Sequence, residues 1–153
     1  MILIAHRGNV AGPIPALENR PQYIEDAITR GWDVEVDLWV QGGDLWLGHD
    51  RPQYSVTEEF LRDGALWLHA KNAEALSWAL LEGLHVFWHQ EDSFTLTSKG
   101  YVWCYPGCVA PQRSILVMPE LGRRFDIRYT IPLIEGICSD VVERYVGQTF
   151  YTL

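Results

Sequence analysis

The 153-residue chain lacks several features that would otherwise point to a function. No apolar run is long enough to cross a bilayer, and the opening Met1-Ile2-Leu3-Ile4-Ala5 has no basic stretch before it and is too short for a secretory leader. The expectation is a cytoplasmic protein without stable membrane insertion. No strand is followed by a Gly-rich loop of the G-x-G-x-x-G or G-K-[ST] kind, which disfavours a nucleotide-binding Rossmann domain. Positive charge is scarce. The net charge is −8, and the one dense basic spot is Arg123-Arg124 with Arg128 nearby, so no nucleic-acid partner is expected. There are three cysteines. Cys104 and Cys108 have no second pair to complete a zinc site, and an odd count fits reduced thiols that fill space.

Apolar residues make up 48% of the chain, charged residues 21%, and there are seven tryptophans. This is the composition of a folded domain. With no linker and no internal repeat, residues 1–153 read as a single domain. Three segments have helical period and plausible ends. In residues 21–31, Pro21 suits the first turn and Gly31 the stop. In 55–64, Ser55 and Glu58 have capping-box spacing. In 72–83, Asn72 is the N-cap and Gly83 the stop. Short strand-like runs fill much of the rest: 33–40, 44–50, 66–72, 85–90, 100–107, 114–120 and 135–140, with Gln41-Gly42-Gly43-Asp44 as a turn.

Several of these runs end on ionisable residues. Strands alternating with helices, with polar residues gathered at strand C-termini, predict an α/β fold: a pared-down TIM (β/α)8-type barrel with several helices shortened or replaced by loops. The chain is short for that fold, whose usual size is about 250 residues.

The chemistry-bearing positions are these strand ends. Glu35 and Asp37 stand at i and i+2, on one face of a strand. Unless that face is solvent, two such carboxylates need a neutralising partner, and a divalent cation bound by hard oxygen ligands is an economical one. His6 and His49 each follow an apolar run beside a charged residue, and acid–base work on a phosphate ester needs one proton acceptor and one donor. Arg7 has the forked guanidinium that suits a phosphate. Trp39, Trp88 and Trp103 are candidates for an aromatic wall around an alcohol group, or for core filling.

Taken in order, His6-Arg7-Gly8, Glu18-Asn19, Glu35-x-Asp37 and Gly48-His49-Asp50 resemble the signature of the glycerophosphodiester phosphodiesterases. That family belongs to a wider superfamily of TIM-barrel phosphodiesterases that includes phosphatidylinositol-specific phospholipases C and sphingomyelinase D. The resemblance is dense over residues 2–50. It is thinner at Leu68-His69-Ala70-Lys71-Asn72, which resembles the family's E-x-K, and at residues 136–140, similar to its closing strand. It implies a metal-dependent phosphodiester hydrolase acting on a small glycerophosphodiester-like substrate. His6 and His49 would be the acid and base, and Arg7 and Lys71 would bind the phosphate. Glu35, Asp37 and Glu18 would lie at the metal. The implied cofactor is one divalent cation, magnesium or calcium.

His69 stands where the family has a carboxylate. If it ligates, manganese or zinc is favoured; otherwise Glu120, Asp92 or Asp140 supplies the third ligand, or the site is inactive. The alternative function is thus a catalytically inactive barrel that binds a phosphorylated ligand. Missing helices would leave apolar surface that a homodimer can cover.

Overall fold

The computed structural model describes residues 1–106, 108, 110–121 and 134–147. Arg123, Arg124 and Arg128 lie outside the described residues.

Strand β1 (Ile2–His6) is followed by helix α1 (Pro21–Thr29), β2 (Asp33–Gln41), β3 (Asp44–Leu47), β4 (Tyr54–Ser55) and helix α2 (Glu58–Leu61). Then come β5 (Leu66–Ala70), helix α3 (Ala73–Leu81), β6 (Val86–Trp88), β7 (Phe94–Leu96), β8 (Val102–Cys104), β9 (Ser114–Val117) and β10 (Ile134–Ser139). Seven strands are parallel, in the spatial order β6–β5–β2–β1–β10–β9–β8. Three pairings are antiparallel: β2 with β3, β3 with β4, and β7 with β8.

The expected TIM-type barrel with alternating helices is therefore not the fold. The molecule is a curled, mixed β-sheet carrying three α-helices among the described residues. The reason lies in how the connections are spent. Among the described residues only β1–α1–β2 and β5–α3–β6 are strand–helix–strand crossovers, and a parallel crossover needs about a dozen residues or more. Residues 41–65 go instead into a hairpin and the single turn of α2, and residues 89–101 into the β7 hairpin. No strand ladder joins β6 to β7 among the described residues. Those edges meet through local bonds: Val86 N–H donates to Ser98 Oγ, Ser98 N–H to the Val86 carbonyl, and the Thr95 hydroxyl to the Trp88 carbonyl.

The local signals are mostly obeyed. Pro21 opens α1, and Asn72 caps α3 by accepting from Ala75 N–H. Gly31 and Gly83 follow the last turns with φ of +90° and +69°, where a side chain would be strained. Gly42 and Gly43 both have positive φ, as a two-residue hairpin with the favoured twist requires. The exception is residues 55–64. Ser55 pairs with Trp46 in a strand, Thr57 becomes the N-cap through Phe60 N–H, and α2 ends at Leu61, well short of Gly64.

Side-chain alternation gives the sheet two apolar faces. The convex face carries Val34, Val36 and Leu38 of β2 with Leu68 and Ala70 of β5, packed under Ile24 and Ala27 of α1 and Ala75 and Ala79 of α3. The concave face is filled by Ile4, Trp67, Phe87, Trp103, Ile115 and Cys138. No cysteine is paired; Cys104 fills the core against Leu116 and Ile137, and Cys138 the concave face. No described helix is long and apolar enough to cross a membrane.

Candidate metal centre and active site

β2 is the branch point of the sheet, paired with β1, β3 and β5. It is buried on both faces, with Glu35 2% and Asp37 0% exposed, so its two carboxylates are not on a solvent face. Register sets their neighbours: His6 of β1 lies beside Glu35, and His69 of β5 beside Asp37.

The ion pairs follow from that register. Asp37 Oδ1 lies 3.2 Å from His69 Nδ1 and 3.4 Å from Lys71 Nζ, and Oδ2 lies 3.0 Å from Arg7 Nε. Asn19 clamps the same residue, donating to Oδ2 at 2.8 Å and accepting the Asp37 backbone N–H. Glu35 Oε1 is 3.6 Å from His69 Nδ1, and Oε2 is 3.8 Å from His6 Nε2. Burial alone would raise the Asp37 carboxyl, but His69, Arg7 and Lys71 outweigh it and hold its pKa well below the usual carboxylate range. Burial alone would strip the charge from His69, but Asp37 and Glu35 lift its pKa to about 9.

Glu35, Asp37 and His69 bring one ligand atom each to within 4.8 Å of one another. Glu35 Oε2 and Asp37 Oδ1 are sealed from solvent without a hydrogen bond and are met only by the ion-pair partners His6, His69 and Lys71. His69 Nε2–H donates to the His89 carbonyl at 3.1 Å, and the ring lies flat on Phe87 with centroids 5.1 Å apart. This fixes Nδ1 toward the carboxylates, the arrangement by which an outer hydrogen bond orients a ligating imidazole. Two hard oxygens and a borderline nitrogen thus fit a divalent cation, and the donor set admits manganese or zinc beside magnesium.

The other expected ligands are committed elsewhere. Glu18 accepts from Arg7 Nη1 at 3.1 Å and Asn9 Nδ2 at 3.0 Å, bracing Arg7. Glu120 accepts from the Ser139 and Tyr145 hydroxyls, and Asp92 from Gln90 N–H. Asp140 binds His6 Nδ1 at 2.8 Å and accepts from Asn9 Nδ2. Burial opposes the charge on His6, and Asp140 and Glu35 more than compensate, so its pKa is raised.

A cavity of about 270 Å³ opens over these groups. His6, Arg7, Glu35, His49, His69 and Lys71 border it, so the sequence-derived residues other than Asp37 and Glu18 share one wall; Asp37 sits behind it under His69 and Lys71. His49 Nδ1 lies 2.7 Å from Asp50 Oδ1. Its loop is tied to β2 by Trp39 Nε1, which donates to the Gly48 carbonyl at 2.6 Å. Trp39 is thus a tether, while Trp88 and Trp103 do line the cavity. Gly8 answers to packing: a Cβ there would meet the Tyr23 ring at 2.7 Å. Arg7 and Asn19 both adopt positive φ, 53° and 61°, and are joined by the Asn19 N–H to Arg7 carbonyl bond. Strained non-glycine backbone of this kind gathers at functional sites.

Three contributors escaped the sequence reading of the site. Asn19 was visible as part of Glu18-Asn19, but not its grip on Asp37. Asp140 entered only as a ligand candidate. His89 stood in a polar strand end without a role. Compared with family models, with curated proteins and with solved structures, the chain matches none.

Proposed function

We propose that the protein is a metal-dependent phosphodiester hydrolase acting on a small glycerophosphodiester-like substrate. The observation that carries the reading is the convergence, over one cavity, of two imidazoles, two phosphate-competent cations and a buried Glu35–Asp37–His69 triad with oxygens that lack a hydrogen bond.

Each group has a role that its surroundings support. Arg7 is braced by Glu18 and Asp37, so its remaining N–H groups meet a phosphate in a fixed orientation. Lys71 adds positive charge beside it. His6 is pinned through Nδ1, which leaves Nε2 to exchange a proton; His49 has Nδ1 against Asp50 and the same nitrogen free. One imidazole takes the proton of the attacking hydroxyl as its oxygen bonds to phosphorus. The other delivers a proton to the departing alcohol oxygen as its bond to phosphorus breaks. A divalent cation held by Glu35, Asp37 and His69 would supply charge neutralisation at the phosphoryl oxygens.

The test is hydrolysis of a chromogenic phosphodiester by metal-stripped protein, with magnesium, calcium, manganese and zinc restored separately beside a Glu35→Ala, Asp37→Ala double variant. The expected result is metal-dependent turnover that the double variant loses. A second reading has its own support: Arg7, His69 and Lys71 already surround Asp37 with positive charge, so the site can persist without a metal as a binder of a phosphorylated ligand. No turnover with any metal, in folded protein whose melting temperature a phosphate ester raises, would favour it.

A further inference from the structure

The cavity has two unlike sides. One, from β1, β2 and β5, is ionic. The other, from the ends of β6, β8 and β9, carries Trp88, Trp103, Tyr105 and Val117 and one buried polar ring, His89. The His89 side chain is 3% exposed, and neither ring nitrogen has a hydrogen-bond partner among the described residues. Its nearest acidic group, Asp92 Oδ2, is 3.9 Å from Nδ1, beyond a hydrogen bond. Tyr105 packs against the ring, tilted by 33° with centroids 4.1 Å apart. Folded proteins rarely leave a buried imidazole unsatisfied at both nitrogens, and the other buried atoms here without a hydrogen bond, on Arg7, Glu35 and Asp37, each face an ion-pair partner.

We propose that His89 is a substrate-binding, specificity-determining residue that hydrogen-bonds a hydroxyl of the substrate's alcohol group. A neutral imidazole presents a donor at one nitrogen and an acceptor at the other, and a hydroxyl can pair with either one. The placement divides the labour: the phosphate sits against Arg7 and Lys71, and the alcohol lies along the aromatic side with its hydroxyl on His89. A site built to pair a substrate hydroxyl rejects the analogue lacking it, because its own polar atoms are then left buried and unpaired. The inference rests on the phosphodiesterase reading for the phosphate, but not on turnover.

The experiment is calorimetric titration of wild type, His89→Leu and His89→Gln with glycerol 3-phosphate and with propyl phosphate, its counterpart without hydroxyls, in saturating manganese. Wild type is expected to prefer glycerol 3-phosphate by at least about tenfold. His89→Leu should bring the two ligands to within about twofold by weakening only the hydroxylated one, and His89→Gln, which keeps a donor and an acceptor, should retain most of the preference. His89→Leu should also raise the melting temperature, since it removes an unsatisfied buried group; a structural role predicts the reverse. An unchanged preference in His89→Leu, no preference in wild type, or no binding of either ligand overturns the proposal. Turnover assays separate its failure from that of the parent reading: a wild type that cleaves no diester but keeps a His89-dependent preference sinks the hydrolase alone.

Discussion

The ionic and aromatic sides of the cavity are both built from strand C-termini, yet they are held in order by different forces. On the ionic side Asp37 is fully buried and is offset by Arg7, His69 and Lys71. Each charge there is tolerable only because the others are present. On the aromatic side Trp103 packs on Phe87 at 4.4 Å and on Trp67 at 6.0 Å between centroids. Order there comes from shape, and trimming one ring leaves no charge uncompensated. The contrast teaches that one wall fails as a unit and the other by increments.

The largest expected effect tests that difference directly. Asp37→Asn strips the common partner from three cations, and breaking a buried pair in this way costs about 3–5 kcal/mol. Trp103→Phe keeps an aromatic ring in place and should cost less, about 1–3 kcal/mol. Urea denaturation of the two variants measures both, and equal losses would erase the distinction between the walls.

Next is a comparison within the ionic side. The Asp140 side chain is 16% exposed and hydrogen-bonded to His6, whereas Asp50 is 89% exposed beside His49. Asp140→Asn should lower the rate of phosphodiester cleavage by about a hundredfold, the scale of an impaired general acid or base. Asp50→Asn should change it by less than about threefold, because an exposed ion pair is weak. Rates at saturating metal decide this; similar losses would mean that the two histidines are held alike.

The smallest effect belongs to the floor of the aromatic side. There His85 lies against Trp67 at 4.0 Å between ring centroids, with Nε2 on Thr97 Oγ1. Burial, with a lesser push from Lys99, lowers its pKa to about 4. The unfolded chain, with an ordinary histidine near 6.5, therefore binds this proton first as the pH falls. His85 contributes its full stability above about pH 6.5, loses it progressively down to about pH 4, and changes nothing further below that. Denaturation midpoints across this window should fall more steeply for wild type than for His85→Gln. Parallel slopes would show that the ring is freely hydrated in the folded state.

The same division explains what the sequence made legible. His6, Arg7, His49, His69 and Lys71 stand at or just beyond strand ends, and Glu35 and Asp37 lie within β2, where period-two alternation reveals that they share a face. Helix ends at Pro21, Asn72, Gly31 and Gly83 were equally readable, being local chemistry. What failed was long-range or short-lived. The Asp140–His6 bond depends on β10 pairing with β1, which no local pattern encodes. β7 and the two-residue β4 are too brief to have a period, and Ser55 was drawn from its helical spacing into a strand by Trp46. The barrel expectation failed for a related reason: polar strand ends mark a parallel sheet with a common mouth, but do not say how many crossovers can afford helices.

β1 lies between β2 and β10, and its last residue is fastened to Asp140 across 134 positions. During synthesis β1 therefore has one permanent neighbour, β2, within reach early and must wait for the other until residues near 140 emerge. Until then Ile2, Leu3 and Ile4 present an apolar edge with unpaired backbone groups, the kind of surface that seeds aggregation and that chaperones hold. His6 and the aspartate that orients it are the same two ends of this delay, so the nascent chain cannot fix the His6 ring until its sheet is complete.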